Sequence, residues 1–116
     1  MKWKLALPAG FNDWLVSLPG TSADALLAVL KAIAREPNGP KELDMPEIEI
    51  RGVPGEHPAL YRMKILMVCP VVGVLYGLRG STIVVGAWGD LPKLSQQATI
   101  NVAQEQIARF SEANHG

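Results

Sequence analysis

The sequence predicts an α+β domain with an N-terminal strand, a helical hairpin, an antiparallel sheet of three to four strands and a C-terminal helix. Three observations predict it. Apolar residues recur at helical spacing between Pro8 and Ile33 and again between Ile100 and Phe110. From Ala59 to Gly89 the chain is instead rich in valine, isoleucine and tyrosine, broken only by short turn-like segments. No repeat, low-complexity tract or linker divides the 116 residues, a length that suits one core, so residues 1–116 form a single domain.

Residues 2–7 alternate Trp3, Leu5 and Leu7 against Lys2, Lys4 and Ala6, the pattern of a half-buried strand. Pro8 suits a helix start, and Phe11, Trp14, Leu15 and Leu18 then share a face until Pro19-Gly20 stops the helix. Thr21 and Asp24 form a weak capping box for a second helix, which puts Leu26, Leu30 and Ile33 on one face. EPNGPKELDMP, residues 36–46, holds three prolines and reads as a connecting loop. EIEIRGV, from Glu47, alternates as an edge strand or extended segment does. ALYRMKILMV, VVGVLYGL and STIVVGAWG follow as a meander, and Ile100, Ala103, Ile107 and Phe110 mark the terminal amphipathic helix.

Composition narrows the function classes. Eleven basic and eleven acidic residues give zero formal charge, which excludes attraction to nucleic acid through bulk charge and leaves room for a local basic patch. The lone Cys69 excludes an internal disulfide and sits in an apolar run, where a buried thiol and a reactive one are both open readings. With only His57 and His115 beside it, no zinc spacing exists, and neither a metal nor another cofactor is expected. The fourteen uncharged residues from Ile65 to Leu78 fall short of the ~18 that a membrane helix needs, and Pro70, Gly73 and Gly77 interrupt them. MKWKLALPAG is broken too early by Pro8 for a secretion signal, so a soluble cytoplasmic protein with no membrane partner is the expectation.

The candidate functional residues lie on ALYRMKI. In a strand, Leu60, Arg62, Lys64 and Leu66 share one face, and Tyr61, Met63, Ile65 and Met67 share the other, which is the natural core face. Arg62 and Lys64 then stand about 7 Å apart, a spacing that suits adjacent phosphodiester oxygens or two acidic groups of a partner. They equally suit a solubilised sheet face paired across strands with Glu47 or Glu49. Arg79 in the following turn and Lys93 after the last strand are further cations that could face RNA. His57 has the pKa range of a general acid or base, or is a plain surface residue.

The order of elements, with FNDWLVSLP, ADALLAVLKAIAREPNG, ALYRMKI, VGVLYGL and STIVVGAWG, resembles the RelE/ParE superfamily of bacterial toxins, and PKLSQQATINVAQEQIARF is similar to the terminal helix of its HigB-like, phage-derived branch. The resemblance implies the toxin of a type II toxin–antitoxin system, neutralised by a cognate antitoxin protein. It also implies a metal-independent endoribonuclease, an mRNA interferase that drives a ribose 2′-hydroxyl onto its own phosphate on the ribosome. Arg62 and Lys64 match the family's alternating basic positions, implying phosphate binding and transition-state stabilisation, and Tyr76 matches its strand tyrosine. Catalysis would thus fall to Arg62, Lys64 and His57, and RNA binding to Arg62, Lys64, Arg79 and Lys93.

This sequence departs from the pattern in three places. Gly73 stands near a strand arginine of active members, and Gly89, Asp90, Leu91 and Pro92 replace basic residues ahead of Lys93. Glu42, Asp44, Glu47 and Glu49 place acids in a region that such toxins tend to make basic. Besides an active ribonuclease, two other readings therefore stand: a catalytically degenerate module that binds a protein target, and a homo-oligomeric interaction protein anchored by Trp3, Trp14 or Trp88.

Overall fold

A computed structural model describes residues 3–35, 43–44, 48–56, 59–66 and 71–110, with only the backbone described at 43–44. Among them are strands β1 (Lys4–Ala6), β2 (Leu43–Asp44), β3 (Ile48–Gly52), β4 (Leu60–Ile65), β5 (Val72–Arg79) and β6 (Thr82–Asp90). The helices are α1 (Phe11–Ser17), α2 (Gly20–Ala34), α3 (Leu91–Leu94) and α4 (Gln97–Arg109). All six strands join one mixed sheet in the order β1-β6-β5-β4-β3-β2, antiparallel except where β1 runs parallel to β6.

The α+β architecture expected from the sequence is present, but the sheet is covered on both faces. Phe11, Leu15, Leu26, Leu30 and Ile33 of α1 and α2 pack on Ile50, Met63, Ile65, Val74, Tyr76, Ile83 and Val85. On the opposite face Ile100, Ala103 and Ile107 of α4, with Leu94 of α3, cover Leu60, Leu75, Val84 and Ala87. A strand buried on both sides has no polar face to alternate with, which is why β5 carries no charge before Arg79. The expectation that the face shared by Leu60 and Arg62 is open holds only for part of it, since Leu60 is fully buried under α4.

The helix boundaries differ from those the spacing suggests. Helix α1 begins at Phe11 with Gly10 as its cap at φ 91°, a left-handed conformation that glycine adopts without a Cβ penalty. Pro8 stands before the helix and accepts the Phe11 N–H at 3.1 Å. Helix α2 starts at Gly20 rather than after Thr21, because the Pro19 carbonyl accepts the N–H groups of Ser22 and Ala23 and no side-chain cap forms. The C-terminal block is split: Asp90 caps α3 by accepting the Lys93 N–H at 3.0 Å, and α4 follows as a separate helix. Leu7, expected on a buried strand face, is exposed at 43 %, since β1 ends at Ala6 before Pro8.

Glycine sets how closely α4 approaches. In the β5–β6 ladder Leu75 pairs with Ala87 and Tyr76 with Val85, leaving Gly86 as an extra, bulged residue. A Cβ on Gly86 would stand 2.6 Å from the Ala103 carbonyl oxygen and 2.9 Å from its Cα. A Cβ on Gly77 would meet the Ile107 side chain at 2.9 Å, so one of the alternate glycines of β5 makes room for the protein's own helix. We expect Gly86→Ala, which collides with helix backbone, to cost about 2 kcal/mol or more in chemical denaturation. Gly77→Ala, which meets the movable end of Ile107, costs less; equal losses would show that α4 shifts freely.

Candidate RNA-facing sheet surface

Helix α4 packs on β5 and β6, and the β3–β4 half of the same sheet face carries Glu49, Arg51, Arg62 and Lys64, all partly exposed. Register dictates this grouping. Glu49 pairs with Lys64 and Arg51 with Arg62, so the four side chains project to one side in two adjacent rows. The Lys64 Nζ lies 3.1 Å from Glu49 Oε1, realising one of the two cross-strand pairings that the sequence allowed. Its alternative partner, Glu47, lies outside the described residues, as do Glu42, His57, Met67, Cys69, Pro70 and His115.

Arg62 is turned toward α3, where its Nη2 donates to the Leu94 carbonyl at 3.2 Å. That carbonyl belongs to the last turn of a helix, where acceptors lack intrahelical donors and a cation is favourable. The Arg62 Nε is buried and makes no hydrogen bond. Arg51, directly across from Arg62, donates from Nη1 to the Ile50 carbonyl. The sequence reading passed over Arg51; its signal was the alternation of Glu49 and Arg51 on EIEIRGV, which only a register could align with Arg62 and Lys64.

The other candidates are divided between this surface and the rest of the sheet. Lys64, Gly73 and Gly89 form one row across β4, β5 and β6, and the aliphatic stem of Lys93 lies against Gly89. No side chain rises between Lys64 and Lys93 along that row, and Lys93 is exposed. Arg79 sits six residues beyond Gly73 on β5, about 20 Å away. There its Nη1 donates to the carbonyls of Ile107 at 3.2 Å and Ala108 at 3.5 Å, closing the C-terminal end of α4. Gly73 is tightly enclosed, for a Cβ there would stand 1.9 Å from the Met63 carbonyl oxygen. The β4–β5 backbone as it stands therefore has no room for an arginine at that position.

Tyr76 faces the α1–α2 side, fully buried and stacked on its register partner Tyr61 at 5.6 Å between ring centres. Burial, and secondarily the neighbouring Tyr61, push its phenol well above the ordinary value of 10.0. It is thus on the wrong side of the sheet to act with Arg62. A raised folded-state pKa contributes stability that is complete below the unfolded value near 10.0 and is lost as pH rises from there toward the folded value. In an alkaline titration of Tyr61→Phe, Tyr76 should ionise together with loss of folded circular dichroism; ionisation with the fold intact would contradict its burial.

Among the described residues no helix is long and apolar enough to cross a membrane, and no group of three metal-ligating side chains converges. The pair energies also separate roles. A partly exposed ion pair such as Lys64–Glu49 is worth at most about 1 kcal/mol, whereas Arg62 bonds a helix carbonyl and has a buried Nε. Lys64→Ala should therefore lower stability by under about 1 kcal/mol in urea unfolding, and Arg62→Ala by more.

No protein-family model matches the sequence, and no curated protein is significantly similar to it. Among solved structures the chain is similar to the toxin RelE of E. coli, solved in the free state as an arginine-to-alanine double mutant. The TM-score is 0.51 at 14% identity, over 92% of this chain and 99% of the other. The fold is therefore RelE-like.

Proposed function

We propose that this chain is the toxin component of a type II toxin–antitoxin system, of the RelE/HigB kind, which acts on RNA and is neutralised by a protein antitoxin. The observation that carries the reading is the partly exposed cationic surface of β3 and β4, set within a RelE-like fold. Arg51, Arg62 and Lys64 present three cations within two strands, spaced for consecutive phosphates of a single strand. In RNA cleavage by an internal 2′-hydroxyl, the substrate supplies its own nucleophile. The protein must then neutralise charge on the phosphate and move protons. Arg62 is suited to the first task once an anion draws its guanidinium from the Leu94 carbonyl, joined by Lys64 once RNA displaces Glu49. Lys93 extends the cationic track toward α3, and His57 is assigned the proton transfer. Descent from the phage-derived HigB-like branch, a ribosomal site of action and a cytoplasmic location form part of this proposal.

A second reading is favoured by a specific observation. Arg62 and Lys64 already have partners inside the protein, and Gly73 has no space for a side chain. A RelE-fold module that binds a protein target without cutting RNA would need no more than this.

Expression in a bacterial host, beside an Arg62→Ala/Lys64→Ala variant of matched solubility, separates the two. The ribonuclease reading expects growth arrest and new messenger RNA ends that the variant loses. Arrest without new ends would replace it by the protein-target reading, and growth unaffected by the folded wild-type chain would overturn both as toxins.

A further inference from the structure

Cross-strand register sets Glu49 of β3 beside Lys64 of β4, and the two side chains meet at 3.1 Å. Neither is enclosed, for Lys64 is 24% exposed and Glu49 32%. On one side the row continues to the register position of Asp44 in β2, and on the other through Gly73 and Gly89 toward Lys93. Arg51 and Arg62 form the next pair on the same face. Among the described charged side chains that β3 and β4 turn to this face, Arg51, Arg62 and Lys64 are cations, and Glu49 is the one proton acceptor. Charge attraction alone gives an acid no place there, since it repels RNA and offsets the charge of Lys64.

We propose that Glu49 is the general base of the RNA cleavage, an inference that rests on the ribonuclease reading, and that its ion pair with Lys64 holds the carboxylate in position until RNA arrives. An RNA phosphate replaces the carboxylate on the Lys64 ammonium, which a partly exposed ion pair permits because its net worth is small. The phosphate oxygen then lies ~2.8 Å from Nζ. An attacking 2′-oxygen stands about 3 Å from the phosphorus, within reach of a carboxylate that began beside the same Nζ. The 2′-hydroxyl proton passes to Glu49 as the 2′-oxygen bonds to phosphorus. The bond from phosphorus to the 5′-oxygen breaks, and that oxygen takes a proton from an acid, the role left to His57. The products are a 2′,3′-cyclic phosphate and a 5′-hydroxyl. Glu49 gives its proton to solvent and pairs with Lys64 again.

The test is single-turnover cleavage of a short synthetic messenger RNA on bacterial ribosomes by the full chain. Binding is measured separately with the same RNA carrying a 2′-deoxy nucleotide at the position that the wild type cuts. Glu49→Gln should slow cleavage at least about 100-fold. It should bind the uncleavable RNA as tightly as the wild type or more so, because a competing negative charge is gone. The wild-type rate should fall toward acid pH as the carboxylate is protonated. Glu49→Gln should lack that acid limb, and Glu49→Asp should keep it at a reduced rate. Lys64, Arg62, Arg51 and the register partner Asp44 remain in both variants, so a lost limb belongs to Glu49. Thermal melts establish that both variants fold. Cleavage by Glu49→Gln at the wild-type rate, a rate loss matched by weaker binding, or an acid limb that survives the substitution would overturn the proposal and leave the ribonuclease reading standing. A wild-type chain that cuts no RNA in this assay would overturn both.

Discussion

The close approach of α4 to β6 is the constraint on which the rest of the molecule depends. It is made by a residue with no side chain. Gly86, the extra residue in a bulge, lets the Ala103 backbone come to a distance that any Cβ would forbid. With the helix axis brought so near, Ile100 and Ile107 reach the sheet on either side of Ala103 and seal Leu75, Val84 and Leu60. A helix held further out would leave voids over these residues, and close packing disfavours such voids.

Two arginines complete that placement. Arg62 bonds the last carbonyl of α3 and Arg79 those near the end of α4, so two sheet cations meet the negative ends of two helices. The arrangement ties the position of α3 to a residue that also belongs to the cationic surface. An anion that drew the Arg62 guanidinium away from Leu94 would release the C-terminal end of α3, which leads directly into Lys93's helix partner α4. Any anion bound by Arg62 would therefore compete with α3 for the same guanidinium.

Much of the fold was legible in the residues. The helical spacing of Phe11, Leu15, Leu26 and Leu30 and the β-rich run after Ala59 each report a local property that sequence carries directly. The second helical layer was not legible in the strands. Two-sided burial removes the alternation that would have named the core face, and the parallel return of β1 to β6 leaves no local mark. At the site, the spacing of Arg62 and Lys64 put both on one face, as β4 indeed does, but their burial and partners depend on neighbouring strands. Arg51 was hidden for the same reason, because facing Arg62 is a matter of register and register is a property of two strands at once.

The parallel pairing of β1 with β6 also orders the events of folding. Lys4 to Ala6 precede every other described element in sequence, while their partners Thr82 to Val84 lie in the last described strand. On a growing chain, β1 has no ladder to join until nearly the whole domain has emerged, and closing so long a loop comes at a large entropic cost. The antiparallel meander from β3 to β6 joins neighbours in sequence and needs no such wait. The first strand in sequence is thus the last that can join the sheet, since its only partner there is the final strand.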